Sequence, residues 1–355
     1  MNRDPYLDFL RALAIIMVLI HHVSQQWPAH LPWLIQYTHH GAIGVDLFFA
    51  LSGFLVGGIF WREAQEYSSV NLWRFWSRRW LRTVPPYLAG LALAWGAVFI
   101  FRDQKFDAGY LLFLQNYYES IPFFLVSWSL CVEEHFYLFI PLAFFFLAKS
   151  KFSVMPALIA MVMLPTLFRF LEFDQASSAF GYYVTASHLN ADGLLLGFTV
   201  SYLRYFRNWK ITPQIRWYSG FAFLSMIIIL LFFDVSLLAD YIFGRFLVAF
   251  TFITLLLVGV DARNTKILGS PLIAFVAITS YSVYLTHALV IHLTTYLFGS
   301  LAIGHARLYF AIQLTCIFFI GWLFFRIFEL GALRLRDRLV PQLKMSDNYR
   351  VPQKS

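Results

Sequence analysis

Ten long apolar runs constrain this chain more than any other feature. They cover roughly residues 7–27, 41–61, 84–101, 122–148, 153–171, 188–206, 217–234, 241–260, 271–299 and 307–328, each close to the ~20 residues a helix needs to cross a bilayer core. The runs are continuous and lack period-two alternation, which selects helices over the strands of a membrane barrel. The 355 residues are 60% hydrophobic, 20% aromatic and 13% charged, whereas soluble domains carry about 25% charge. The predicted fold class is therefore all-α: a polytopic transmembrane helical bundle over residues 1–340 with a short basic tail at 341–355. We find no internal repeat and no low-complexity segment. Cys131 and Cys316 lie inside apolar runs and form neither a disulfide framework nor a metal motif. No small-residue cleavage pattern follows the first run, where His21, His22, Val23 and Ser24 stand, so it reads as a retained helix.

Orientation follows from Lys and Arg. The connection after the second run carries Arg62, Arg74, Arg78, Arg79 and Arg82, and later alternate connections carry Lys149 and Lys151, then Arg204, Arg207, Lys210 and Arg216, then Arg263 and Lys266. The tail adds Arg334, Arg336, Arg338, Lys344, Arg350 and Lys354. The intervening connections hold only Arg102, Lys105 and Arg307. Ten spans with both termini cytoplasmic satisfy this asymmetry. The net charge of +8 is thus a topology signal first, and no nucleic-acid partner is expected. Oligomeric state leaves no mark in the sequence.

Ionisable residues inside spans are costly and mark functional or paired sites. Arg11 and His22 are eleven positions apart on the first span, so they share a helix face roughly 16 Å apart along the axis. Asp46 lies early in the inward-running second span, at the depth expected for His22, where a carboxylate can fix an imidazole's tautomer. Glu133 and Glu134 open the inward-running fourth span, His188 and Asp192 the sixth, and Tyr284 and His287 lie in the outer half of the ninth. Counting from span ends assigns His22, Asp46, Glu133 or Glu134, Asp192 and His287 to one outer layer. An outward-opening polar cavity with acid–base chemistry accounts for that agreement; the alternative is a set of structural polar residues that only hold helices together.

The cytoplasmic side differs. Leu72 to Tyr87 interleaves arginine with aromatics, and Arg74, Arg78 and Arg82 follow i, i+4 spacing along one helix face. Such a strip can lie on anionic headgroups or clamp a phosphate-bearing ligand with forked guanidinium bonds.

These residues also carry a resemblance. Arg11 followed after ten residues by His22, the run from Gly44 to Phe54, Arg78-Arg79-Trp-Leu-Arg82-Thr-Val-Pro-Pro-Tyr, Trp128-Ser-Leu-Cys-Val-Glu133-Glu134-His-Phe-Tyr and Ser280-Tyr-Ser-Val-Tyr-Leu-Thr-His287 together resemble membrane-bound acyltransferase family 3, the transmembrane acyltransferases of bacterial surface glycans. Five motifs in order, from the first span to the ninth, make the match specific. His135 stands where a small amide is expected and Thr286 where an aromatic is common.

The resemblance implies a ten-span acyltransferase domain and a standalone form without the hydrolase-like C-terminal domain of some relatives. It also implies a bacterial inner membrane, acyl-CoA (acetyl-CoA first) as donor, and a glycan, lipid-linked sugar or small-molecule hydroxyl as acceptor. No metal is implied. On that expectation Arg11, Arg74, Arg78, Arg79 and Arg82 hold the donor's phosphates. His22, oriented by Asp46 or Glu134, is then the general base, while His287, Asp192 and Tyr284 bind the acceptor or relay its proton. The competing expectation is a proton-coupled transporter or flippase of a glycan precursor, since buried His, Asp and Glu also build proton relays.

Overall fold

The computed structural model describes residues 4–25, 40–102, 105–147, 153–173, 181–232, 240–262 and 268–343. Lys149, Lys151, Arg263 and Lys266, and residues 344–355 of the expected tail, lie outside them. Among the described residues there is no strand; the chain is a bundle of long helices. These are α1 (Pro5–Ser24), α2 (Gly44–Tyr67), α3 (Leu72–Arg102), α4 (Trp128–Leu147), α5 (Val154–Leu171), α6 (Asp192–Ser201), α7 (Pro213–Phe232), α8 (Arg245–Gly259), α9 (Pro271–Phe298), α10 (Ala306–Phe324) and α11 (Leu330–Leu339).

Among the described residues eight helices are long and apolar enough to cross a membrane: Pro5–Ser24, Gly41–Tyr67, Leu72–Ile100, Leu125–Leu147, Val154–Leu171, Ile242–Gly259, Pro271–Phe298 and Ala306–Leu339. The all-α transmembrane bundle is thus as expected. The two other anticipated runs are also helical. The run at 217–234 is helical through Phe232, the end of α7, and 233–234 lie outside the described residues. The run at 188–206 is interrupted: a one-turn helix Ser187–Asn190 stops at Ala191, α6 restarts at Asp192, and a π-helical turn at Tyr202–Phe206 carries it on.

Two local signals shape α1 and α3. Asp4 caps α1 by accepting from the Tyr6 amide at 2.9 Å, and Pro5 takes the first helical position, where a missing N–H costs nothing. α3 runs unbroken through Pro85 and Pro86, so its Arg–aromatic first half and its apolar second half form one element. α10 and α11 are joined by a π-helical turn at Phe325–Glu329, which carries the last span on into a basic amphipathic helix.

α2 and α6 cross at close range. A methyl on Gly53 would fall inside van der Waals contact of the Leu194 carbonyl, and one on Gly197 would overlap the Ala50 carbonyl. Small residues here let the backbones approach, as in membrane helix pairs generally. Gly197→Ala is expected to destabilise the bundle by about 1–3 kcal/mol, read as a lowered Tm in detergent. Gly96→Ala, where nothing lies within 4 Å, is the matched control, and equal Tm values for the two variants would refute the tight crossing.

At the end of the bundle opposite the basic connections, parts of residues 105–127 bond back among the helices. Gln115 and Asn116 are fully buried there. The Gln115 amide donates to the Tyr87 hydroxyl at 3.1 Å and to Ser127 at 3.0 Å, and Asn116 to the Thr185 carbonyl at 3.0 Å and Ser187 at 2.8 Å. These bonds place the start of α4, and with it Ser129, against α9.

Candidate functional site

Two imidazoles meet at the end of the bundle opposite the basic connections. His22 lies in the last turn of α1 and His287 in α9, with ring centroids 5.0 Å apart. His287 is wholly buried, and its Nδ1 lies 2.7 Å from the Tyr284 carbonyl oxygen. A carbonyl only accepts, so Nδ1 carries the proton and neutral His287 keeps its lone pair on Nε2. That Nε2 is buried with no hydrogen-bond partner among the described residues. Tyr284, one helical turn inward, packs on His287 with centroids 5.6 Å apart, and its hydroxyl is 2.6 Å from Ser129 Oγ and 3.0 Å from the Val126 carbonyl. Thus the pair is held by α9 turning over α4, with His22 brought in from α1.

The carboxylates expected beside His22 are elsewhere. Among the described residues, the ionisable groups acting on His22 are imidazoles, those of His287, His21 and His292. Asp46 lies in the first turn of α2, where the helix dipole favours a carboxylate, and the charges acting on it are Arg245, Asp192 and Arg169. Asp192 is bound by Arg169 through two parallel bonds, NH1 to Oδ2 at 2.7 Å and NH2 to Oδ1 at 2.8 Å, with both side chains 3% exposed. Arg169 also donates through Nε to the Ile242 carbonyl at 2.9 Å, and through its remaining N–H groups to the Leu189 carbonyl and to Thr166. Asp192 is therefore part of a satisfied lock between α5, α6 and the π-helical turn Asp240–Gly244 that leads into α8. Arg245 donates to the Val184 carbonyl at 3.2 Å and lies over the Trp128 ring.

Glu133 and Glu134 form a third group, deeper along α4. Counted at 1.5 Å per residue from the Ser129–Tyr284 contact, they lie roughly 10 Å inward of the imidazole pair. Glu133 accepts from the Tyr137 hydroxyl at 2.7 Å, and Tyr137 in turn contacts Ser52. Glu134 accepts from Thr83 at 2.6 Å. Glu329, placed by the π-helical turn before α11, accepts from Ser282 at 2.6 Å and is 3% exposed. Arg79 and Arg82 are the cations that act on these carboxylates: both on Glu133, Arg79 on Glu134 and Arg82 on Glu329.

The arginines expected to clamp a ligand divide into two sets. Arg11 pairs with Asp8 at 3.0 Å, Arg74 with Glu63, and Arg78 with Asp337 at 3.1 Å. Arg79 lies over the Tyr137 ring. Among the described residues neither the Arg79 nor the Arg82 guanidinium has a hydrogen-bond partner. Both are partly exposed and stand three positions apart on α3. Their charge answers to Glu133, Glu134 and Glu329, but their N–H groups are open, and such a pair at the basic end suits an anion entering from that side.

Sequence reasoning did not single out Arg169, Arg245 or Glu329. The first two lie within anticipated spans, so the rule that flagged His22 applies to them equally; Glu329 falls just past the anticipated end of the last span at 328. A cavity of about 600 Å³ bordered by Phe60, Trp61, Phe144 and Phe206 is apolar and contains none of the sequence-predicted site residues. Among the described residues no group of three His, Cys, Asp or Glu is placed to hold a metal ion.

Comparison with known proteins bears on this arrangement. The chain is 27% identical over 381 aligned positions to SAR0937 of Staphylococcus aureus (strain MRSA252), whose name provisionally makes it an O-acetyltransferase; the match covers 96% of this chain and 60% of that protein. It is 26% identical over 315 positions to the O-acetyltransferase OatA of Staphylococcus aureus (strain NCTC 8325), covering 80% of this chain and 50% of OatA. The chain thus spans between half and 60% of the length of these relatives. No solved structure matches it. The model of the acyltransferase 3 family, described as an acyltransferase domain, matches residues 4–328, a range that holds His22, His287 and every arginine of the α3 strip. This integral membrane chain belongs to the acyltransferase 3 family.

Proposed function

We propose that the chain is a membrane O-acyltransferase, moving an acyl group, acetyl first, from cytoplasmic acyl-CoA to a hydroxyl of a glycan or lipid-linked sugar in a bacterial inner membrane. The observation that carries this reading is the His22–His287 pair, with the His287 lone pair presented on a buried, unpartnered Nε2. The reaction needs a base and little more, since a thioester is already an activated acyl donor. An imidazole takes the acceptor hydroxyl's proton as the oxygen attacks the thioester carbon. The C–S bond breaks, and the imidazolium returns the proton to the departing thiolate. Two adjacent imidazoles let one face the acceptor and the other the thiolate.

Donor binding falls to the basic end. Arg79 and Arg82, whose N–H groups carry no hydrogen bond among the described residues, take phosphate oxygens, and the narrow pantetheine arm runs from there along α1 toward His22, on the helix face that begins at Arg11. Acceptor enters from the opposite end, over Tyr284 and His287.

The test is thioester cleavage by purified protein in detergent with acetyl-CoA, followed as free thiol. Arg79→Gln and Arg82→Gln are each expected to weaken acetyl-CoA about ten-fold or more, because each removes a charge-assisted bond to phosphate. Unchanged donor affinity in both variants would remove the arginine pair from the site. A wild-type protein that neither binds CoA nor cleaves the thioester would put the transport reading ahead.

A further inference from the structure

The first half of α3 packs against α11, and the contact is organised around one exposed carboxylate. The Asp337 side chain is 55% exposed, while those of Arg78 and Arg336, which grip it, are 16% and 15% exposed. Arg78 NH2 lies 3.1 Å from Asp337 Oδ1; Arg336 donates through Nε to Oδ1 at 2.9 Å and through NH2 to Oδ2 at 3.0 Å. Arg78 is steadied further by a bond to the Val340 carbonyl, just past the end of α11. In an ordinary surface pair both partners are solvated and mobile. Here the cations are covered and positioned by the fold, and the anion is the part that can swing away.

Charge points the same way. Arg336 acts on both Arg78 and Arg79, and Arg82 acts on Arg79. Arg74 is neutralised by Glu63, and Glu133, Glu134 and Glu329 answer to Arg79 and Arg82. That leaves Asp337 as the carboxylate bonded to Arg78 and Arg336 together. Two guanidiniums sharing one monoanion leave a net positive site with forked donors, and a phosphate monoester, with more charge and three terminal oxygens, satisfies it better than a carboxylate.

We propose that Arg78 and Arg336 form a phosphate-binding subsite whose place Asp337 holds when no ligand is bound. The subsite deepens the acyl-donor reading and rests on it only for the identity of the ligand. If the donor is acyl-CoA, the subsite takes the 3′-phosphate of the nucleotide, the end of the molecule furthest from the thioester. A lipid headgroup phosphate offers the same chemistry.

The experiment measures binding of CoA and of dephospho-CoA, which lacks the 3′-phosphate, to the full chain in nanodiscs made with or without phosphatidic acid. Asp337→Asn is expected to tighten CoA about two- to five-fold, the worth of an exposed ion pair, and to leave dephospho-CoA unchanged. Arg336→Gln is expected to weaken CoA about ten-fold, again sparing dephospho-CoA. The same pattern for phosphatidic acid instead of CoA would keep the subsite and name lipid as its ligand. The proposal falls if Asp337→Asn tightens neither phosphate ligand, or if Arg336→Gln weakens CoA and dephospho-CoA equally. A wild-type chain that binds no CoA would strike the acyl-donor reading alone, and the phosphatidic acid arm would then decide the subsite.

Discussion

Alanine at His22, or at His287, is expected to lower thioester cleavage by two to four orders of magnitude, and the double variant to be no worse than either single one. The size follows from general acid–base catalysis, which contributes about 10²–10⁴-fold. The non-additivity follows from the geometry. Groups that act as a unit lose the whole effect when one is removed, and these rings stand 5.0 Å apart with no carboxylate hydrogen-bonded to either among the described residues. His287 is wholly buried, so alanine there also leaves a cavity. Gln at 287 keeps the bulk and can still donate to the Tyr284 carbonyl, but it cannot hold a proton; it should be as inactive as alanine while melting near wild type. Thiol release in single-turnover mode, beside CoA affinity and Tm, separates these effects. Full activity in His22→Ala would end the imidazole mechanism, and multiplicative losses in the double variant would split the pair into independent roles.

What the sequence could and could not show follows from the kind of information each feature needs. Span existence is local, so the long apolar runs located the helices, and the i, i+4 arginines located the basic face of α3. Depth is nearly local. His22 and His287 were placed in the same layer by counting from span ends, and their rings do meet. The count put Glu133 and Glu134 in that layer too, whereas the Ser129–Tyr284 contact sets α4 so that they lie roughly 10 Å inward of the pair. Azimuth is not local at all. Which way Asp46 faces is set by the glycine-dependent crossing of α2 with α6, and that crossing turns it toward Arg169, Asp192 and Arg245. No periodicity in either helix encodes this. Glu329 required a π-helical turn, which a 3.6-residue reading passes over.

The largest loss of stability should come from splitting Arg169 and Asp192. The pair joins α5 to α6 at 3% exposure on both sides, and the five donors of the guanidinium are all spoken for by Asp192, Ile242, Leu189 and Thr166. Arg169→Met leaves a carboxylate buried with no bonded cation, a change that costs about 3–5 kcal/mol, enough to remove a large part of a domain's net stability. Arg169→Met with Asp192→Leu removes both charges and should recover much of the loss, since a buried ion pair pays heavily for desolvation and an apolar pair does not. Recovery should stop short of wild type, because the Leu189 and Ile242 carbonyls lose their donor. If Asp192 were instead a proton relay, Asp192→Asn would abolish turnover with little change in Tm. If it is the lock described here, the same variant loses Tm first, and any folded fraction keeps its turnover per molecule. Denaturation in detergent with activity normalised to folded protein therefore assigns Asp192 to architecture or to chemistry.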